Sequence, residues 1–160
     1  MKILLVYYSR TGLTKKVAES LAAKIGADVE EIVDTNKRSG VMGYIMSGRE
    51  TIAKKLAVIE APKFSPANYD LVIIGTPLWV GTMSTPIRSY LNDHKTQLKR
   101  VAFFTTQQAG AQEKVFKILE DFSGQKSLAN LSVLSKEAVR GDYQTKLDEF
   151  IKLYEQNLSL

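Results

Sequence analysis

Two hydrophobic rhythms alternate along this chain, and that alternation constrains its fold more than any other feature. Short unbroken apolar runs, rich in Val, Ile, Leu, Tyr and Phe, read as strands covered on both faces: residues 2–8, 28–33, 71–75, 101–105 and 128–134. Between them, apolar residues recur at helical spacing. Val17, Ala18, Leu21, Ala22 and Ile25 form one stripe, and Val115, Phe116, Leu119 and Phe122 a second. Leu147, Phe150, Ile151, Tyr154 and Leu158 form a third. Thr85-Pro86 opens a further helix, because proline is pre-set for the first helical turn and a hydroxyl before it can cap. Apolar strands separated by helices imply a parallel sheet with helices on both faces. Right-handed crossovers leave few topologies. The expectation is a three-layer, doubly wound α/β domain spanning residues 1–160, with a five-stranded parallel sheet in the order 2-1-3-4-5.

The stretch 36–67 is less regular. Tyr44, Ile45, Ile52 and Leu56 allow a helix, but Gly40, Gly43 and Gly48 each weaken it by roughly 1 kcal/mol relative to alanine. Pro62 and Pro66 then impose an irregular approach to the third strand.

Composition removes whole classes of chemistry. The 160 residues contain no cysteine and one histidine, His94, which reads as a surface residue near a helix end. That excludes a disulfide framework, a thiolate zinc site, an iron–sulfur cluster, a cysteine nucleophile and a multi-histidine metal site. The chain is long enough to bury roughly 70% of the surface that its unfolded state exposes. No run approaches the roughly 20 apolar residues that span a bilayer, and the apolar opening is too short for a signal peptide. A soluble, cytoplasmic protein is expected. Twenty-two basic against seventeen acidic residues give a net charge of +5, without the basic–aromatic interleaving of a nucleic-acid-binding surface.

In a doubly wound sheet, ligands bind beyond the carboxyl ends of the strands, where the winding reverses. Three loops are expected there. The first, Ser9-Arg10-Thr11-Gly12-Leu13-Thr14, brings three hydroxyls and a glycine to a helix N-terminus, a combination that suits a phosphate. Plain helix capping by Thr11 or Thr14 is the alternative. No dinucleotide glycine fingerprint or triphosphate-binding Gly-Lys-Ser/Thr is present, so a monophosphate fits better. The second loop, 75–86, holds the one tryptophan, Trp79, where its flat face can stack on a planar ligand, or else lie over the edge of the core as a lid. The third, 105–111, is uncharged and rich in hydrogen-bonding groups that suit a heteroaromatic edge. Together the loops describe a flat heterocycle on a monophosphate tail.

On these residues the sequence resembles the flavodoxins, which bind FMN. The segment 6–14 looks like the first strand and phosphate loop of that family, and 69–79 is similar to its third strand and first flavin loop. Phe103-Phe104-Thr105-Thr106 sits where the second flavin loop begins. The resemblance implies that Ser9, Arg10, Thr11, Gly12, Leu13 and Thr14 hold the FMN phosphate. Thr76, Pro77, Leu78, Trp79, Val80 and Gly81 would face one side of the ring, with the Val80-Gly81 peptide beside the flavin N5. Thr105, Thr106, Gln107 and Gln108 would line the other side and the pyrimidine edge.

Three departures stand out. The third loop carries no aromatic residue, Gln108-Ala109-Gly110 stands where related proteins pair glycines, and the chain is basic where electron carriers of this family are usually acidic. Two other uses of such a fold fail. A receiver domain needs acidic residues after the first strand, and a small tyrosine phosphatase needs a cysteine.

The resemblance implies a low-potential electron carrier between a reductase and an acceptor protein. The alternative is an FMN-dependent NAD(P)H oxidoreductase that reduces a quinone or similar acceptor. A basic cluster of Lys37, Arg38, Arg49, Lys54 and Lys55 would then meet a dinucleotide phosphate or an acidic partner. A flavin-free interaction module is a third reading, against which the retained Trp79 and loop hydroxyls speak.

Overall fold

A computed structural model describes residues 1–35, 56–110 and 113–159. The crossover expected around Tyr44 and Ile52, and the basic cluster at 37–55, lie outside the described residues. The strands are β1 (Ile3–Tyr7), β2 (Asp28–Glu31), β3 (Leu71–Trp79), β4 (Thr82–Met83), β5 (Val101–Gln107) and β6 (Ser127–Leu134). The helices are α1 (Leu13–Ile25), α2 (Thr85–His94), α3 (Lys114–Ser123), α4 (Ser135–Arg140) and α5 (Gln144–Leu158).

The sheet runs β2-β1-β3-β5-β6, all parallel, with β4 added antiparallel to the end of β3. Counting only the parallel strands, this is the doubly wound 2-1-3-4-5 order expected from the sequence. The unbroken apolar runs are explained by which way alternate residues point. Leu5 and Tyr7 of β1, Ile73 of β3 and Phe104 of β5 face one way, against Val17 and Leu21 of α1 and Leu147 and Phe150 of α5. Leu4, Val6, Ile74 and Phe103 face the other way, against Ile87 and Leu91 of α2 and Val115 and Leu119 of α3. Both faces of the central strands are sealed, so neither set can be polar; the edge strand β2, expected to be covered on both faces, instead has Asp28, Val29 and Glu31 exposed, because it is paired on one side only.

β3 and β5 run further than their apolar content indicates, β5 as far as Gln107. β3 continues through Thr76-Pro77, which pair in register with Thr105-Thr106 of β5, and its last residues Leu78 and Trp79 pair with Met83 and Thr82. Proline and glycine signal a loop in this stretch, but pairing first with β5 and then with β4 overrides them. Trp79 therefore ends a strand rather than standing free in a loop. A second difference is at α2. Thr85 lies inside the helix, no side chain caps it, and the buried Thr85 Oγ1 has no hydrogen-bond partner among the described residues. His94, the last residue of α2, is half-buried and stacks on Tyr90 at 4.8 Å.

Gly75 sits where β3 crosses closest to β5. A Cβ built there would stand 2.0 Å, 2.3 Å and 2.7 Å from three ring atoms of Phe104, itself fully buried. Gly75→Ala is expected to destabilise the fold by about 1–3 kcal/mol through overpacking, and Phe104→Leu in the same chain to recover part of the loss. Urea unfolding of the two variants measures both effects.

Near the end of β6, Glu137 Oε2 accepts the Leu134 N–H at 2.8 Å and pairs with Lys146 Nζ at 2.8 Å. Partial burial pushes this carboxyl up, but the Lys146 contact and the Leu134 N–H more than reverse that, so its pKa lies below the ordinary value. A depressed carboxylate contributes stability above its unfolded pKa of about 4.3, and that stability is lost as pH falls through the lower folded value. Glu137→Gln should therefore be less stable than the parent at pH 7, with the gap closing as the medium is acidified below pH ~4. Urea unfolding at stepped pH reads the gap.

Candidate functional site

Parallel strands all end on the same rim, and the loops after β1, β3 and β5 meet there around a cavity of about 430 Å³. That lies within the range of roughly 300–1,000 Å³ typical of small-molecule sites. Its wall is made of Arg10, Thr11 and Leu13 from the first loop, Pro77, Leu78, Trp79, Val80 and Gly81 from the second, and Thr106, Gln107, Gln108 and Ala109 from the third, with Ser135 from α4. Eleven of the sixteen residues singled out in the sequence are thus brought together on one wall. Ala109 and Ser135 were not singled out. Ser135 directly follows β6, which ends beside β5 with Leu134 paired to Gln107, so it reaches the same rim from a strand end that the three-loop reading leaves out.

The other five lie behind the wall, where they hold its loops. Ser9 Oγ accepts the Gly12 N–H at 3.1 Å, and Gly12 takes a positive φ of 87° at the helix N-cap, a turn that glycine makes without strain. Thr14 is buried, and its Oγ1 lies 2.7 Å from Thr106 Oγ1, tying the start of α1 to the end of β5. Thr76 Oγ1 accepts the Ser84 N–H at 3.0 Å and fastens the hairpin to the start of α2. Thr105 Oγ1 lies 3.3 Å from Ser132 Oγ of β6.

No side chain caps the first turn of α1, and no acidic residue sits there. The positive end of the helix dipole therefore faces the rim beside Arg10 and Thr11. Trp79 is only 8% exposed. Its ring meets Tyr8 edge-on at 5.6 Å and 89°, while the Arg10 guanidinium lies 5.9 Å from its centroid. The indole is at once part of the core and part of the cavity wall, so the stacking and lid readings of this residue describe two sides of one ring. On the third loop, Gln107 is buried and its Nε2 donates to Gly110 O, whereas Gln108 and Ala109 are exposed.

Among the described lining residues Arg10 is the only ionisable group. Without a carboxylate, histidine or lysine beside them, Thr11 and Ser135 have no base to activate them. No group of three or more potential metal-ligating residues occurs among the described residues.

A second cavity, of about 400 Å³, lies along β2 and differs in kind. Part of its charge is paired within the chain. Glu31 Oε2 takes Tyr7 Oη at 3.0 Å and Lys15 Nζ at 2.9 Å, and Glu30 Oε2 accepts the N–H groups of Lys63 and Phe64. Burial first, and then the Glu31 hydrogen bond, push the Tyr7 phenol well above its ordinary pKa. These contacts brace the edge of the sheet.

The family model for flavodoxin matches residues 2–149. The chain belongs to the flavodoxin family. Among solved structures, it is similar to a flavoprotein of Lactobacillus acidophilus NCFM in complex with FMN, at 25% identity and a TM-score of 0.71, covering 88% of this chain and 97% of that one. Two others share the fold at lower identity. Flavodoxin 2 of Bacillus cereus is 17% identical with a TM-score of 0.58, covering 98% of this chain and 99% of that one. An NADH:FMN oxidoreductase in its apo form is 14% identical with a TM-score of 0.62, covering 100% of this chain and 90% of that one. No curated protein matches the sequence.

The turn joining β3 to β4 is strained. Val80 at φ 48° and Gly81 at φ 77° make a two-residue turn with both φ positive, and Val80 is β-branched. Such a residue in the left-handed region costs roughly 1–2 kcal/mol, and Asn-Gly is the favoured sequence for this turn. Val80→Asn is expected to stabilise the protein by about 1 kcal/mol in urea unfolding. Equal or lower stability of the variant would show that the turn stores no strain.

Proposed function

We propose that the chain, as one domain over residues 1–160, is an FMN-binding flavodoxin that carries electrons one at a time from a reductase to an acceptor protein. The composition of the cavity wall carries this reading. It offers a flat indole, a lone cation, hydroxyls and amides, and lacks acid–base groups among its described residues. Such a wall suits a ligand that brings its own reactivity. When bound, FMN supplies the electron-transfer chemistry, and the protein supplies binding, orientation and electrostatics. The similarity to the flavoprotein of Lactobacillus acidophilus crystallised with FMN supports the same assignment.

In this reading Arg10, Thr11 and the open first turn of α1 receive the phosphate, with Ser9 and Gly12 shaping the loop and Leu13 packing beside it. Pro77, Leu78 and Trp79 support one face of the ring, and Val80-Gly81 lies at its edge. Thr106, Gln107 and Gln108 flank the opposite side. Thr14, Thr76 and Thr105 act from behind, by fixing the three loops relative to one another. No helix among the described residues is long and apolar enough to cross a membrane, in keeping with partners reached by diffusion in the cytoplasm.

One observation favours a second reading, an FMN-dependent oxidoreductase that takes hydride from NAD(P)H and passes electrons to a quinone. The side opposite Trp79 is built from Gln107, Gln108 and Ala109, two of them exposed, so no aromatic among the described residues closes that side. A ring left open there is accessible to a second planar substrate.

The purified protein is expected to be yellow, or to bind FMN one-to-one when titrated, and to show two resolved one-electron steps in potentiometry. Trp79→Ala should weaken FMN by roughly tenfold and displace the reduction potentials. A colourless protein that ignores FMN would sink the reading. With a quinone present, NAD(P)H oxidation no faster than by free FMN supports the carrier, and faster turnover supports the oxidoreductase.

A further inference from the structure

We infer that Arg88, buried behind the cavity wall, makes the site hold reduced FMN more tightly than it would without that charge, and so raises the potential at which bound FMN is reduced. This rests on the FMN reading above and gives a role to a residue outside the cavity lining. Arg88 stands in the first turn of α2 and is 6% exposed. A terminal guanidinium nitrogen donates to Thr82 Oγ1 at 3.4 Å, and the guanidinium carbon lies 5.3 Å from the centroid of the Phe122 ring. Its Nε is buried without a hydrogen-bond partner, and no carboxylate pairs with it among the described residues. Burial pushes its pKa below the ordinary arginine value, but a guanidinium still stays charged at neutral pH.

Such a cation is costly to the fold. Burial strips water from the charge and no anion offsets the loss. The positive end of the α2 dipole stands nearby, and no acidic residue lies in that first turn. The contact with Phe122 compensates in part, whereas the hydrogen bond to Thr82 is long and contributes little. An unbranched apolar side chain would fill the same space without the cost, and rules of this kind are broken most often beside functional sites. Arg88 is beside one. Thr82, its partner, is paired directly with Trp79, which lines the cavity. Two electrons from the reductase and one proton from solvent leave a flavin ring one unit more negative than its oxidised form. A cation behind the indole stabilises that charged form and leaves the neutral oxidised ring almost unaffected. The phosphate tail is the same in both forms, so its attraction to Arg88 cancels from the comparison. Because the charge is buried, salt screens it little.

Arg88→Met keeps the packing against Phe122 and removes the charge. Relative to oxidised FMN, the variant should bind reduced FMN roughly tenfold more weakly than the unaltered protein does, which lowers the two-electron midpoint potential by about 30 mV. Arg88→Lys, which keeps the charge, should stay near the parental potential. Without flavin, Arg88→Met should unfold at the same or a higher urea concentration than the parent, because an unpaired buried charge has been removed. A midpoint unchanged in Arg88→Met, or lowered equally in Arg88→Lys, would overturn the inference. So would a flavin-free Arg88→Met protein that is clearly less stable or fails to fold, since Arg88 would then be a structural brace of the hairpin. If the unaltered protein binds no FMN, the FMN reading fails and the inference falls with it. Normal FMN binding with equal midpoints in parent and Arg88→Met removes the inference alone.

Discussion

The parallel pairing of β3 with β1 on one side and β5 on the other is the constraint on which the rest of the structure depends. Parallel neighbours cannot be joined by a tight turn, so each connection crosses a full layer, and every strand ends on the same rim. The register Val6↔Ile74↔Phe103 aligns the ends of the three strands, so the loops that follow them converge on one cavity although about thirty to one hundred residues separate them in the chain. The close passage of Gly75 over the Phe104 ring belongs to the same constraint, since that ring of β5 fills the space that a side chain on Gly75 would otherwise take.

Hydroxyl groups fix that rim without adding charge. Thr14 with Thr106, Thr76 with Ser84, and Thr105 with Ser132 each join elements distant in sequence or function. Because these donors and acceptors satisfy one another in the interior, they do not carry the desolvation cost of unpaired polar groups. Arg10 is then the single charge on the described wall, and its field acts in a partly dry site where electrostatic effects are stronger than in water.

Local strain is concentrated at the same rim. Val80 occupies a left-handed position between Trp79 and Gly81, at the point where β3 turns back into β4. The antiparallel pairs Leu78↔Met83 and Trp79↔Thr82 hold it there, and behind them Arg88 of α2 donates to Thr82 Oγ1 at 3.4 Å while lying against the Phe122 ring. The hairpin is therefore over-determined by its neighbours, which is the condition under which a strained turn persists.

Much of this was legible in the amino-acid order. Apolar runs covered on both faces, alternating with helical stripes such as Leu147, Phe150 and Tyr154, determined the layers, the parallel sheet and the strand order, because burial and right-handed crossover leave almost no other arrangement. The loop residues Arg10, Thr11, Trp79 and Gln107 were identifiable because strand ends in such a sheet are predictable. Tertiary structure alone decided the rest. Pairing first with β5 and then with β4 extended β3 through Pro77 to Trp79, against the local signal for a loop. The approach of β5 to α1 turned the Thr14 hydroxyl inward to Thr106, and the pairing of β6 with β5 brought Ser135 to the cavity. Each of these outcomes depends on a partner far away in the chain. Local pattern reports which face of an element is buried, but only the assembled neighbours determine which particular group each side chain meets.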